Sequence, residues 1–258
     1  MKRWRGTAAG VLAAGLLAAM PGAGRCDEAA AADSPSAVPS ARRLVDDVIA
    51  SLPHEPLLIS GDILVRLRRG VVVREYGFEM LMQLGGDPPR SRYRVFDPDG
   101  RELERLSVTR RAGAPPRLEY AVAGRPVPRA PDLFANIQST DLAWIDLTLS
   151  FLWWQGGEVL GEERVKGRTC YVVSIPTPER LAAGGDEAYA SVRLWVDAEL
   201  HMLLQAEARD AAGEPIRRLW VKSLKKVNDR WMIKDMEVQE YPAVHRTKLR
   251  IQDVEPAG

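Results

Sequence analysis

One feature constrains this chain more than any other: its hydrophobic period is two over run after run, and the gaps between runs are short. From 59 to 68 the odd positions are apolar or glycine and the even ones mostly polar. From 76 to 84, Tyr76, Phe78, Met80, Met82 and Leu84 form an unbroken apolar row. Alternation of this kind marks strands with one face in a core. Further strand-like stretches fall near 91–97, 102–110 and 117–123. After a break they resume near 158–165, 168–175, 189–196, 201–209, 214–226, 231–241 and 244–254. Arg69-Gly70, Asp97-Pro98-Asp99-Gly100, Lys166-Gly167 and Asp210-Ala211-Ala212-Gly213 are turn signals between neighbouring runs. A parallel pair needs a crossover of a dozen or more residues, so strands joined this way are antiparallel neighbours. About a dozen of them cannot lie flat and should curl. The expected class is mainly β, a large curved antiparallel sheet forming an open half-barrel, with helices against its concave face.

Two segments depart from that period. Ser40 can cap a helix in which Ala41, Leu44, Val45, Val48, Ile49 and Leu52 recur at helical spacing, ended by Pro53 and Pro56. The second follows residues 124–138, which are rich in proline and arginine and read as a loop. Ser139-Thr140-Asp141 then offers capping oxygens. Leu142, Ile145, Leu149, Leu152 and Trp153 fall on one helical face, Trp144, Phe151 and Trp154 widen it, and Gly156-Gly157 stops it. The expectation is one unusually aromatic helix isolated between two β regions.

The N-terminus reads as a secretory signal peptide over 1–24: Lys2, Arg3 and Arg5, an uncharged run over 7–20, then Pro21 and small residues. That run is shorter than the ~20 residues of a membrane span. Residues 25–39 read as a flexible tether and 40–256 as a single domain. Cys26 stands where a lipoprotein cysteine would, but Arg25 occupies the place of the small residue that lipidation requires. A soluble exported chain, monomeric and periplasmic, is therefore expected, with lipid attachment at Cys26 the lesser alternative. Cys170 lies in a strand-like run and reads as a buried, inert thiol.

The remaining residues argue against several chemistries. The formal net charge is +1 and no long basic stripe occurs, so nucleic acid is not an expected partner. Pairs such as Arg110-Arg111 and Lys225-Lys226 read as solvated strand edges or turns. His54, His201 and His245 lack metal-pair spacing, and no metal is expected. Nucleophile elbows, phosphate loops and dinucleotide fingerprints are absent from the sequence. Glu162 and Glu163, adjacent on a strand, point to opposite faces and cannot pair for acid–base work. No catalytic residue and no cofactor is assigned, and the chain is not expected to be an enzyme.

Three segments carry a resemblance. They are Ser139-Thr140-Asp141-Leu142 through Asp146-Leu147 to Phe151-Leu152-Trp153-Trp154; the run from Leu160-Gly161-Glu162-Glu163 to Tyr171-Val172-Val173, closed by Pro176; and Leu194-Trp195-Val196-Asp197, followed by Gly213, Trp231 and His245-Arg246-Thr247. In order and spacing they resemble the outer membrane lipoprotein-sorting proteins, the LolA/LolB-like group, most clearly over 139–254. The resemblance implies a half-open barrel with helices as a lid. It also implies a role carrying lipoprotein acyl chains or lipid toward the outer membrane, between inner-membrane release machinery and an outer-membrane acceptor. The candidate acyl-binding residues are then Trp144, Leu149, Phe151, Trp153 and Trp154 in the lid and Tyr76, Phe78, Met80 and Met82 on the sheet. Each of these rows has an ordinary core face as its alternative reading. A second role on the same fold stays open: a periplasmic module that senses lipid or lipoprotein and acts by protein contact.

Overall fold

The computed structural model describes residues 38–257 except 68, 112–113, 183–188, 228–229 and 243. The expected signal peptide, Cys26 and nearly all of the expected tether lie outside the described residues. The first element is α1 (Ala41–Ser51). Ser40 caps it, its Oγ accepting from the Arg43 backbone N–H at 3.3 Å, and Leu44, Val45 and Val48 are buried. The opposite face is solvated and carries the pairs Arg42–Asp46 and Arg43–Asp47 at helical spacing.

Six strands follow: β1 (Leu57–Leu67), β2 (Val72–Gln83), β3 (Arg90–Phe96), β4 (Glu102–Arg111), β5 (Ala114–Val122) and β6 (Arg125–Val127). After a long connection come β7 (Glu158–Val165), β8 (Arg168–Pro176), the short α2 (Glu179–Ala182), β9 (Ser191–Asp197), β10 (Leu203–Arg209), β11 (Pro215–Val227), β12 (Arg230–Glu240) and β13 (His245–Pro256). All thirteen belong to one sheet in the order β6-β5-β4-β3-β2-β1-β13-β12-β11-β10-β9-β8-β7. Every neighbouring pair is antiparallel. The sheet is open, with β6 and β7 as its edges. β6 corrects the reading of 124–138 as loop throughout; a three-residue strand is too short for its alternation to be read.

The sheet is two meanders joined at a seam. β1 pairs with β13 from Leu57↔Pro256 to Leu67↔His245, so the ends of the domain close it. Inward-facing residues of β1–β4 and of β8–β13 belong to a single apolar core, which a thirteen-stranded sheet achieves only by curling round it. The chain leaves the first meander at one sheet edge and enters the second at the other, so residues 128–157 must cross the curled face. They do so through the core: Leu133, Phe134, Ile137, Leu142, Trp144, Ile145, Phe151 and Leu152 are all buried there.

This crossing segment differs from the single helix expected of it. It forms one helical turn and a little more at Trp144–Thr148. Leu149 then takes a left-handed conformation (φ 49°), and a 3-10 turn follows at Ser150–Trp153. The physical reason is burial on every side. Over 140–154 only Leu149 and Trp153 are partly exposed; Asp141, Asp146, Thr148 and Ser150 are as buried as the aromatics. A segment without a water-facing side gains nothing from a continuous amphipathic helix, and hydroxyls beside the break compete for backbone partners. The segment is a plug as much as a lid.

Candidate functional site

The polar residues of the plug fix one of its ends. Asp141 Oδ2 accepts from the Thr247 hydroxyl at 2.9 Å and lies 2.8 Å from His245 Nδ1, both on β13. Asp146 Oδ2 accepts from the Ala143 N–H and from Arg217 of β11, each at 3.0 Å. Arg217 also donates to the Asp141 carbonyl at 2.9 Å and to Asn136 Oδ1 at 2.7 Å. Burial pushes the Asp146 carboxyl up, and the Arg217 guanidinium opposes that push. This end is thus pinned to the second meander by a network in which the buried charges are paired, although Arg217 Nε finds no partner of its own.

The other end borders a cavity of about 140 Å³. Leu147, Thr148, Leu149 and Trp153 form its roof. Ile59, Met80, Met82, Tyr93, Leu249 and Ile251 come from the sheet around the seam, and Leu84 from the turn after β2. Met232, Ile233 and Met236 come from β12, and Ser51, Leu52 and Pro53 close it at the end of α1. Trp231, 45% exposed, stands at the rim. Every methionine among the described residues lines this space: Met80, Met82, Met202, Met232 and Met236. Methionine is unbranched and polarizable, so a wall built from it adapts to differently shaped apolar guests.

Two wall residues are charged: Arg230 at the rim, paired with Glu55 at 3.0 Å, and Arg110, which is buried. The inward row of β4 runs Glu104, Leu106, Val108, Arg110, all buried. Arg110 donates to the Thr148 carbonyl at 3.3 Å and stacks on the Trp153 ring, 3.7 Å from its centroid. Ser91 Oγ is 3.5 Å away and Tyr93 is the other polar neighbour. Burial pulls the Arg110 guanidinium down from its ordinary value, with Tyr93 opposing it. This corrects the reading of Arg110-Arg111 as a solvated pair: Arg111 is exposed and Arg110 is 7% exposed. The signal was in the sequence, because Leu106, Val108 and Arg110 share one parity and hence one face.

The expected acyl-binding residues separate into two groups. Leu149, Trp153, Met80 and Met82 line the cavity, as does Leu84. Trp144, Phe151, Trp154 and Phe78 are packed into the core away from it, and Tyr76 packs against that core. Trp144 meets the edge of Tyr120 at 6.1 Å. The wall residues that sequence reasoning missed include Met202, Trp231, Met232, Met236, Tyr93 and Arg110. Among the described residues no group of three His, Cys, Asp or Glu is placed to hold a metal. Cys170 is buried as expected, beside Val172, Trp195 and Leu204 in a small cluster separate from the main core.

A family model described as uncharacterized-protein-like matches residues 130–257. No curated protein matches the chain in sequence. Solved structures do match in fold. The crystal structure of a DUF1329 family protein from Desulfovibrio piger is 17% identical with a TM-score of 0.67, covering 84% of this chain and 91% of that one. A LolA superfamily protein from Nitrosomonas europaea is 13% identical with a TM-score of 0.64, covering 86% and 95%. A candidate outer membrane lipoprotein-sorting protein domain from Vibrio parahaemolyticus is 13% identical with a TM-score of 0.65, covering 83% and 91%.

Proposed function

We propose, for a chain that is LolA-like in fold, that it is a periplasmic carrier. It holds acyl chains of lipid or lipoprotein in the methionine-lined cavity and passes them between membrane-bound partners. The observation that supports the reading is the cavity itself, whose roof is formed by the Leu147–Trp153 end of the plug. Each methylene withdrawn from water contributes about 0.8 kcal/mol, so an apolar wall is all the chemistry that acyl capture needs. The role is binding rather than catalysis.

The size of the cavity adds a condition. Engineered cavities of roughly 150 Å³ hold one benzene, so about 140 Å³ admits the end of an acyl chain and not its whole length. Full capture requires the roof to lift. The anchored end at Asp141–Asp146 stays fixed to the second meander, while the Leu149–Trp153 end moves. Leu149 has the backbone conformation of a joint rather than of a helix.

Native mass spectrometry of the exported protein, with solvent extraction, tests this. The wild type should retain an acyl lipid or lipopeptide, and Met236→Trp, which fills the cavity, should lose it while keeping the fold. A wild-type protein that is empty and also refuses added fatty acid would overturn the cavity reading. Affinity capture that retrieves a signalling protein in place of lipoproteins or release machinery would favour the sensing role.

A further inference from the structure

The chain treats its two most buried cavity-side and plug-side arginines differently. Arg217 is 5% exposed and faces carboxylates, Asp146 at 3.0 Å and Glu240 at 3.6 Å. Arg230, at the cavity rim, pairs with Glu55 at 3.0 Å. Arg110 is 7% exposed, and no carboxylate among the described residues lies within ion-pair distance of it. Its partners are a carbonyl, a hydroxyl, a phenol and the face of an indole, all neutral. A guanidinium does not shed its proton in a protein, so it cannot escape burial by neutralising. A buried cation without a counter-anion is costly, and such a group is kept where something supplies the anion.

We propose that Arg110 seats the oxyanion head, carboxylate or phosphate, of an acyl amphiphile whose tail lies along the methionines of the cavity. The inference rests on the acyl-binding reading and adds the ligand's polarity and direction to it. Arg110 lies in the cavity wall beside Thr148, Leu149 and Trp153. A head bound there points the tail toward Met80, Met82 and Met232. The head also competes with the Thr148 carbonyl for the same N–H groups. Occupancy by an anionic ligand therefore loosens the roof, which a neutral ligand does not.

Trp153 and Trp231 in the wall supply the readout. Quenching of tryptophan fluorescence is titrated with 9,10-dibromostearate, its methyl ester and a dibrominated lysophosphatidate on the delipidated full-length mature protein, near neutral pH. A hydrogen-bonded charge contributes about 1.5–3 kcal/mol, so the free acid should bind at least about tenfold more tightly than the ester. Arg110→Gln should bring the acid and ester within about twofold of each other while ester binding persists, and Arg110→Lys should keep much of the preference. The acid and lysophosphatidate arms separate the carboxylate from the phosphate source. Equal binding of acid and ester to the wild type overturns this proposal and leaves the acyl cavity standing; that comparison needs no variant to fold. A preference that survives in Arg110→Gln also overturns it. If none of the three probes quenches, the acyl-binding reading fails and this inference fails with it.

Discussion

Cys170 and Asp197 are register partners on β8 and β9, and each environment dictates a measurable behaviour. Burial, and then the Asp197 charge, push the Cys170 thiol up to about 11. At pH 8 about one thiol in a thousand is then ionised, and the thiolate is the reactive form. Maleimide should label Cys170 only as fast as the protein unfolds; rapid labelling of the native protein at pH 8 would contradict its placement. Burial works to raise the Asp197 carboxyl too, but Arg168 and the backbone N–H groups of Leu200 and Glu199 outweigh it and hold the group below its ordinary range. A depressed folded value means stability present above the unfolded carboxyl range, about pH 4, and lost as the pH falls through the folded value. Asp197→Asn should lower the melting temperature at neutral pH, and the gap from the wild type should close below about pH 4. A gap of constant size across pH 2–7 would show that the charge does not matter. At this scale the inert thiol was legible from its strand context. The burial of Arg110 was legible only through the parity it shares with Leu106 and Val108, against a composition that places arginine outside.

The plug is the element on which the site depends, and its polar anchors make its stability testable. Arg217→Met leaves the Asp146 carboxylate buried without its partner, a change that costs about 3–5 kcal/mol. Adding Asp146→Asn should restore much of that, since the orphaned charge disappears with it. Urea unfolding of both variants decides the point, and equal losses in the single and double variants would show that the pair is not coupled. The expected helix at 139–156 went wrong where amphipathic reasoning must go wrong. Helical periodicity reports a boundary between core and water, and here both sides of the segment are core. Neither the helical nor the two-residue period separates a core face from a cavity face, so the nine aromatic and aliphatic residues stood as one candidate site. Of the nine, Leu149, Trp153, Met80 and Met82 reach the cavity, and the others pack in or against the core.

The whole molecule is held as one sheet by the β1–β13 seam, where Arg250 reaches Asp62 at 2.8 Å across 188 residues. Gly61 sits at the irregularity of that pairing. A Cβ on Gly61 would stand 2.0 Å from the Arg250 carbonyl oxygen and 3.0 Å from the Phe78 ring. Gly61→Ala must therefore push the seam strands apart, at a cost of about 1–3 kcal/mol or more. Denaturant midpoints should drop accordingly, while Gly100→Ala, in an open turn, tests only backbone strain. An unchanged midpoint in Gly61→Ala would mean that the seam is not as close as described. Because the cavity straddles the seam, with Ile59 on β1 and Leu249 and Ile251 on β13, the variant should weaken acyl binding as well.

The chain's own order determined the strands, their antiparallel turns and the capped helix at Ala41–Ser51. These depend on side-chain parity, turn chemistry and capping, forces that act within a few residues. The tertiary structure decided that the first and last strands meet, that the crossing segment is buried nearly all round, and that methionines from β2 and β12 share one wall with a buried guanidinium. Those outcomes depend on which faces pack together across the curl of the sheet. Packing acts between residues far apart in the chain, and no local period records it.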